Sequence, residues 1–117
     1  MAKKKEIKVF VKAPGERPAL RTVENTLEAL QGIVGGRICT VTLSDNLAAV
    51  ANDDGIQLDL PYNCKMLGVI FRGTIVLVGV SGDRFTDCPR GVGLWYDNGV
   101  MRDVTPYSRR ESEGEGA

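Results

Sequence analysis

Residues 70–80 read Ile70-Phe71-Arg72-Gly73-Thr74-Ile75-Val76-Leu77-Val78-Gly79-Val80, and how this stretch is read decides the fold. From Ile75 onward the run is apolar and rich in β-branched side chains, and it lies between Gly73 and Gly79. So short a run does not distinguish a buried strand from a buried helix by period. The glycines, the β-branching and the Ser81-Gly82-Asp83 turn signal that follows favour a strand. A strand apolar on both faces needs cover on both sides, so the stretch is expected at the centre of a sheet.

Working outward, Lys5 to Lys12 alternates, with Ile7, Val9 and Val11 on one face and Glu6, Lys8, Phe10 and Lys12 on the other. That pattern predicts a half-buried strand with a charged outer face. Pro14-Gly15 and Pro18 make a turn, and Ala19 to Val23 returns as a second, antiparallel strand. Asn25 with Glu28 three residues on fits a capping box. Leu27, Leu30, Ile33 and Val34 then recur at helical spacing, and Gly35-Gly36 supplies the stop, giving a helix of about three turns. Arg37 to Leu43 and Leu47 to Ala51 read as strands joined by the turn Ser44 to Asn46. Asn52-Asp53-Asp54-Gly55 is a hairpin signal after which Ile56 to Leu60 is expected to pair briefly. Leu60-Pro61-Tyr62-Asn63 reads as a turn or loop. Val92, Leu94, Trp95, Val100 and Met101 fit either a terminal hairpin or a short helix.

The expected fold is therefore α+β, a mostly antiparallel sheet of about five strands with one helix on one face. The chain has 117 residues, which makes a single domain over 1–107, with 108–117 read as a disordered acidic tail. With one helix to cover a strand apolar on both faces, a second subunit is expected over the other face, making a homo-oligomer.

Composition narrows the function. Fifteen basic and fifteen acidic residues cancel, which disfavours nucleic acid as a partner, although Lys3 to Lys5 form a local basic arm. There is no histidine, so Ser-His and Cys-His nucleophiles are excluded, along with the commonest general base. Cys39, Cys64 and Cys88 show no C-x-x-C spacing, which argues against zinc, and their odd number with no secretory signal points to reduced thiols in a cytoplasm. The apolar runs are too short for a membrane helix. Gly91-Val92-Gly93 lacks the strand and helix that a phosphate-cradling loop requires.

The order of pieces resembles a family. Asn25-Thr26-Leu27-Glu28 opening a helix, Gly35-Gly36, Asn52-Asp53-Asp54-Gly55, Leu60-Pro61-Tyr62-Asn63, and Arg72 to Val80 closed by Gly82-Asp83-Arg84-Phe85-Thr86 together resemble the domains of unknown function numbered 3846. The likeness runs from about Ile7 to Thr86. Where members tend to carry a basic residue after the asparagine, this chain has Cys64, with Lys65 one place later. The resemblance implies a phage or mobile-element protein in the cytoplasm of a bacterial host. It implies no reaction.

Several residues are candidates for a site. Asp53 and Asp54 are read as turn chemistry rather than as a metal site. Arg72-Gly73-Thr74 sets a charge and a glycine at the mouth of a buried strand, a local conflict that often marks function. Asn63 lies where the chain must bend. Arg84 and Arg90 with Phe85, Trp95 and Tyr96 form a loose basic and aromatic group able to pair a phosphate and stack a base, the alternative being that Trp95 belongs to the core and the arginines to the surface. The expectation is a binding protein without catalysis, cofactor or metal. Asn63, Arg72, Thr74, Arg84 and Trp95 would line an intersubunit pocket for a small nucleotide-like signal, sequestered as a counter-defence. The alternative is an inhibitor that binds a host protein through an exposed sheet face.

Overall fold

The computed structural model describes residues 5–102. The acidic tail, the domain end at 107 and most of the lysine arm lie outside the described residues. In chain order the elements are β1 (Glu6–Lys12), β2 (Ala19–Glu24), α1 (Leu27–Val34), β3 (Ile38–Ser44), β4 (Leu47–Asn52), β5 (Tyr62–Met66), β6 (Val69–Arg72), β7 (Ile75–Ser81), β8 (Arg84–Thr86) and a 3-10 helix at Arg90–Leu94. The main sheet runs β2-β1-β7-β4-β3, with β8 also paired to β7, and its pairings are antiparallel. β5 and β6 form a separate two-stranded sheet. The α+β reading holds. The main sheet has six strands where about five were expected, and the C-terminal element is the short helix, not a hairpin.

The deciding stretch is two strands. Gly73, at φ +74°, turns the chain between β6 and β7, so only Ile75 onward belongs to the central strand. Ile75, Val76, Leu77 and Val78 are all 0% exposed. Alternation then divides them between two cores. Val76 and Val78 pack with Ile7, Val9 and Val50 beneath Leu30 and Val34 of α1. Ile75 and Leu77 pack with Phe10, Ala49, Cys64, Met66, Phe71 and Val92 on the opposite face. Each buried aliphatic side chain contributes roughly 1.5–3 kcal/mol, so this strand anchors both layers.

The cover of the second face comes from the chain itself. The β5-β6 hairpin and the 3-10 helix lie over the face expected to need a second subunit. Gly93 makes the 3-10 contact possible, since a Cβ there would come within 2.9 Å of the Phe10 ring. Arg17 and Asp97 clasp this segment to the turn after β1 through two hydrogen bonds of 2.6 and 2.8 Å, and the Arg17 guanidinium lies 5.2 Å from the Tyr96 ring centre. This added layer also buries Lys12, which was expected on a charged outer face. Its ammonium bonds Ala13 O at 3.3 Å and sits 5.4 Å from the centre of the same ring.

Helix α1 begins one residue later than the capping-box reading placed it. Thr26 is the N-cap, accepting from Ala29 N at 3.1 Å, while the buried Asn25 side chain donates to Phe85 O at 3.2 Å and ties the helix entry to β8. Gly35, at φ +83°, ends the helix by donating to Gln31 O. The helix has eight residues, just over two turns, and Leu27 is off its buried stripe.

Asn52-Asp53-Asp54-Gly55 is a turn, with Asn52 Oδ1 accepting from Asp54 N at 2.7 Å, but no hairpin follows. Residues 56–60, expected to pair as a strand, wind through further turns closed by Leu58 N to Asp54 O and Leu60 N to Gly55 O. Tyr62 and Asn63, expected in a loop, open β5 instead.

Candidate functional site

A cleft of about 520 Å³ opens between the edge of the main sheet and the hairpin. Its walls are Cys39 and Val41 of β3, Ala51 at the end of β4, and Val69, Ile70 and Phe71 of β6. The end of β4 and the turns after it bring Asn52, Asp53, Ile56 and Gln57 to the cleft, and Arg72 also lines it. A volume in the range of roughly 300–1,000 Å³, apolar walls and a few polar groups are what small-molecule sites provide. The geometry arises because the winding stretch at 53–60 holds β6 away from β3. Gly55 lies close against Arg72, with room for a Cβ only 3.5 Å from the Arg72 Cβ.

Arg72 is the cation at this site. One of its terminal nitrogens donates to Leu60 O at 3.0 Å and lies 3.9 Å from the exposed Asp59 carboxylate, which fixes the guanidinium. In the turn after β4, Arg37 binds Asp54 at 2.7 Å and lies 3.6 Å from Asp53. That hydrogen bond holds the Asp54 carboxyl below the usual carboxylate range and raises the Arg37 guanidinium. Burial, aided by Asp53, pushes the Cys39 thiol up, so it lines the cleft as a neutral group and not as a nucleophile. Among the described residues no group of three or more acidic or cysteine side chains could hold a metal.

The five residues expected to share a site are dispersed. Arg72 lines this cleft. Thr74 lines a separate cleft of about 490 Å³ with Arg17, Arg21 and Ile33. Arg84 borders a smaller one with Asn25, Leu27 and Phe85. Trp95 packs half-buried on the core. Asn63 is 1% exposed and holds structure together: its Nδ2 donates to Lys12 O and Gly73 O, each at 2.7 Å, while its Oδ1 meets no donor among the described residues. The approach to the backbone that Gly73 was expected to permit is real, but it is made by the chain. A Cβ at Gly73 would fall 2.8 Å from Leu60 Cδ1.

Sequence reading missed Val41, Ile56, Val69 and Ile70 as cleft residues. Their signal lay in exposure, which a pattern of apolar positions does not carry: Ile56 is 79% and Ile70 49% exposed.

Fold and cleft together define a small α+β protein, a helix and a hairpin on opposite faces of an antiparallel sheet, with a pocket of small-molecule size. The pattern of the family called Domain of unknown function (DUF3846) matches residues 7–101, and the chain belongs to that family. The match extends beyond Thr86 through the 3-10 segment. No curated protein and no solved structure matches the chain.

Proposed function

We propose that this protein is a binding protein without catalysis that takes a small ligand into the cleft between β3 and β6. The single observation that carries the reading is the pairing of a mostly apolar cleft of about 520 Å³ with one fixed arginine, Arg72, in its lining. The ligand it fits has a flat or apolar body for Val41, Val69 and Ile70 and an anionic group for the guanidinium, as a nucleotide-like signal does. A counter-defence role, in which a mobile element removes such a signal from its bacterial host, is supported by the family resemblance noted in the sequence. An inhibitor docking on a host protein through a sheet face has less in its favour, because both faces of β7 are covered within the chain.

The test is a thermal-shift panel of mono-, di- and cyclic nucleotides followed by mass analysis of the recovered ligand. A rise in melting temperature that Arg72→Ala abolishes, with the ligand recovered chemically unchanged, supports sequestration. The absence of any shift across the panel overturns it, and turnover of the ligand overturns the absence of catalysis.

A further inference from the structure

The open edge of the main sheet is β3, whose outer side has no neighbouring strand among the described residues. Edge strands of soluble proteins are usually blunted by charge, proline or short length. The opposite edge, β2, follows that practice: it carries Arg21 and Glu24 and starts just after Pro18. β3 is defended less: its seven residues, Ile38-Cys39-Thr40-Val41-Thr42-Leu43-Ser44, contain neither charge nor proline, and the device it carries is a bulge against β4 near its end, between Thr42 and Ser44. The regular stretch from Ile38 to Thr42 is a template for another strand.

The occupant is specified by the strand's own symmetry. Placed antiparallel to itself about Val41, β3 sets Thr40 opposite Thr42, so like meets like. Beyond Thr42 the strand bulges, but the two-fold still sets the Arg37 end of each strand beside the Asp45 end of the other, so opposite charges face each other at both ends. Arg37 and Asp45 are both exposed. Threonine pairs across strands and opposite charges at both ends are favourable cross-strand partners. The exposed Ile56 and Ile70 lie beside the same edge, across the cleft from Cys39 and Val41.

We infer that β3 is a homodimer interface: a second copy of this chain pairs with it antiparallel about a two-fold axis at Val41, joining two six-stranded sheets into one. The pairing is isologous, each protomer offering the same strand, so it closes at two copies. Because Cys39 and Val41 also line the cleft, the two ligand clefts lie on either side of the joint. The inference does not depend on what the clefts hold, and its readout is oligomeric state.

Sedimentation velocity on the full chain across a concentration series is expected to show a dimer. Thr40→Lys, at an exposed position, is expected to weaken association by about tenfold or more, because it replaces both threonine pairs and crowds the edge with charge. Circular dichroism verifies that the variant keeps its fold. Register is read by cross-linking. In a Cys39→Ser background, Val41→Cys is expected to form a disulfide-linked dimer on mild oxidation, since facing Cα atoms in an antiparallel pair lie about 4.5–5.5 Å apart. Thr40→Cys and Thr42→Cys in the same background are expected to link to each other when mixed, and neither to itself. A monomer at every concentration overturns the inference, as does a dimer that Thr40→Lys leaves intact. A dimer that Val41→Cys does not cross-link overturns the two-fold at Val41.

Discussion

The side-chain amide of Asn63 donates to the backbone carbonyl of Lys12 at 2.7 Å, across the gap between the hairpin and the main sheet. The same nitrogen reaches Gly73 O, so one buried amide holds the end of β1, the start of β5 and the link into β7. Asn63→Ala takes the side-chain donor away from two buried carbonyls and is expected to cost about 2–4 kcal/mol, measured by urea unfolding. Asn63→Asp is expected to cost more at neutral pH, because a carboxylate then faces two carbonyl oxygens. If Asn63 instead acted on a ligand, both variants would lose binding and keep their stability.

The position of the helix cap is also testable. Thr26→Ala removes the acceptor for Ala29 N and is expected to lower stability by about 1 kcal/mol in the same assay. Were Asn25 the cap, Thr26→Ala would be nearly silent. The effect of Asn25→Ala should instead appear as faster amide exchange in β8, whose Phe85 carbonyl Asn25 holds.

Two glycines should respond to alanine with opposite sign. At Gly79, in the buried centre of the sheet, a Cβ would lie 2.0 Å from Asp87 O, so Gly79→Ala must displace the segment following β8. A loss of several kcal/mol, or failure to fold, is expected. At Gly32, within α1, a Cβ meets nothing within 4 Å, and Gly32→Ala is expected to add about 0.5–1 kcal/mol. Thermal melts of the two variants check both signs.

Cys88 should set part of the alkaline stability limb. Burial pushes its thiol from 9.0 to about 12. The folded state therefore holds this proton more tightly than the unfolded chain. Its contribution is whole below pH 9 and is lost as pH rises toward 12. Between pH 8 and 11 the wild type is expected to lose more stability than Cys88→Ala, measured by urea unfolding at each pH. Iodoacetamide should leave Cys88 unmodified at pH 8 until denaturant is added.

The main sheet was legible wherever one physical rule dominated. β1, β3 and β7 are runs of alternating or β-branched residues, and the β1-β2 and β3-β4 pairings follow from short turns with ordinary turn residues, whereas the insertion of β7 between β1 and β4 carries no local signal. The β5-β6 hairpin was not legible because its turn is Leu67-Gly68, with Leu67 itself at φ +50°, a conformation a leucine seldom adopts. Pro61-Tyr62-Asn63 looked like the bend, and the hairpin vanished into a loop. Lys12 was misplaced for a related reason: alternation assigns faces, but only the layer above decides whether a face meets water. The site suffered most from this. Arg72 was found as a charge in conflict with a buried strand, whereas Thr74, Arg84 and Trp95 were grouped by nearness in sequence and the fold sends them to different surfaces.

The placement of β7 has a consequence for how the protein is made. The β1-β2 and β3-β4 hairpins are local and can form as soon as each is synthesised, yet β7 lies between them and is translated after both. Phe10 cannot meet Leu77, nor Ala49 the same residue, until most of the chain has left the ribosome. Pairings so distant in sequence are slow to close. Until they do, the nascent chain holds two half-built hairpins with apolar faces and unfilled inner edges. A strand made after both hairpins joins them, and a truncation before residue 75 would leave two fragments of sheet with nothing to unite them.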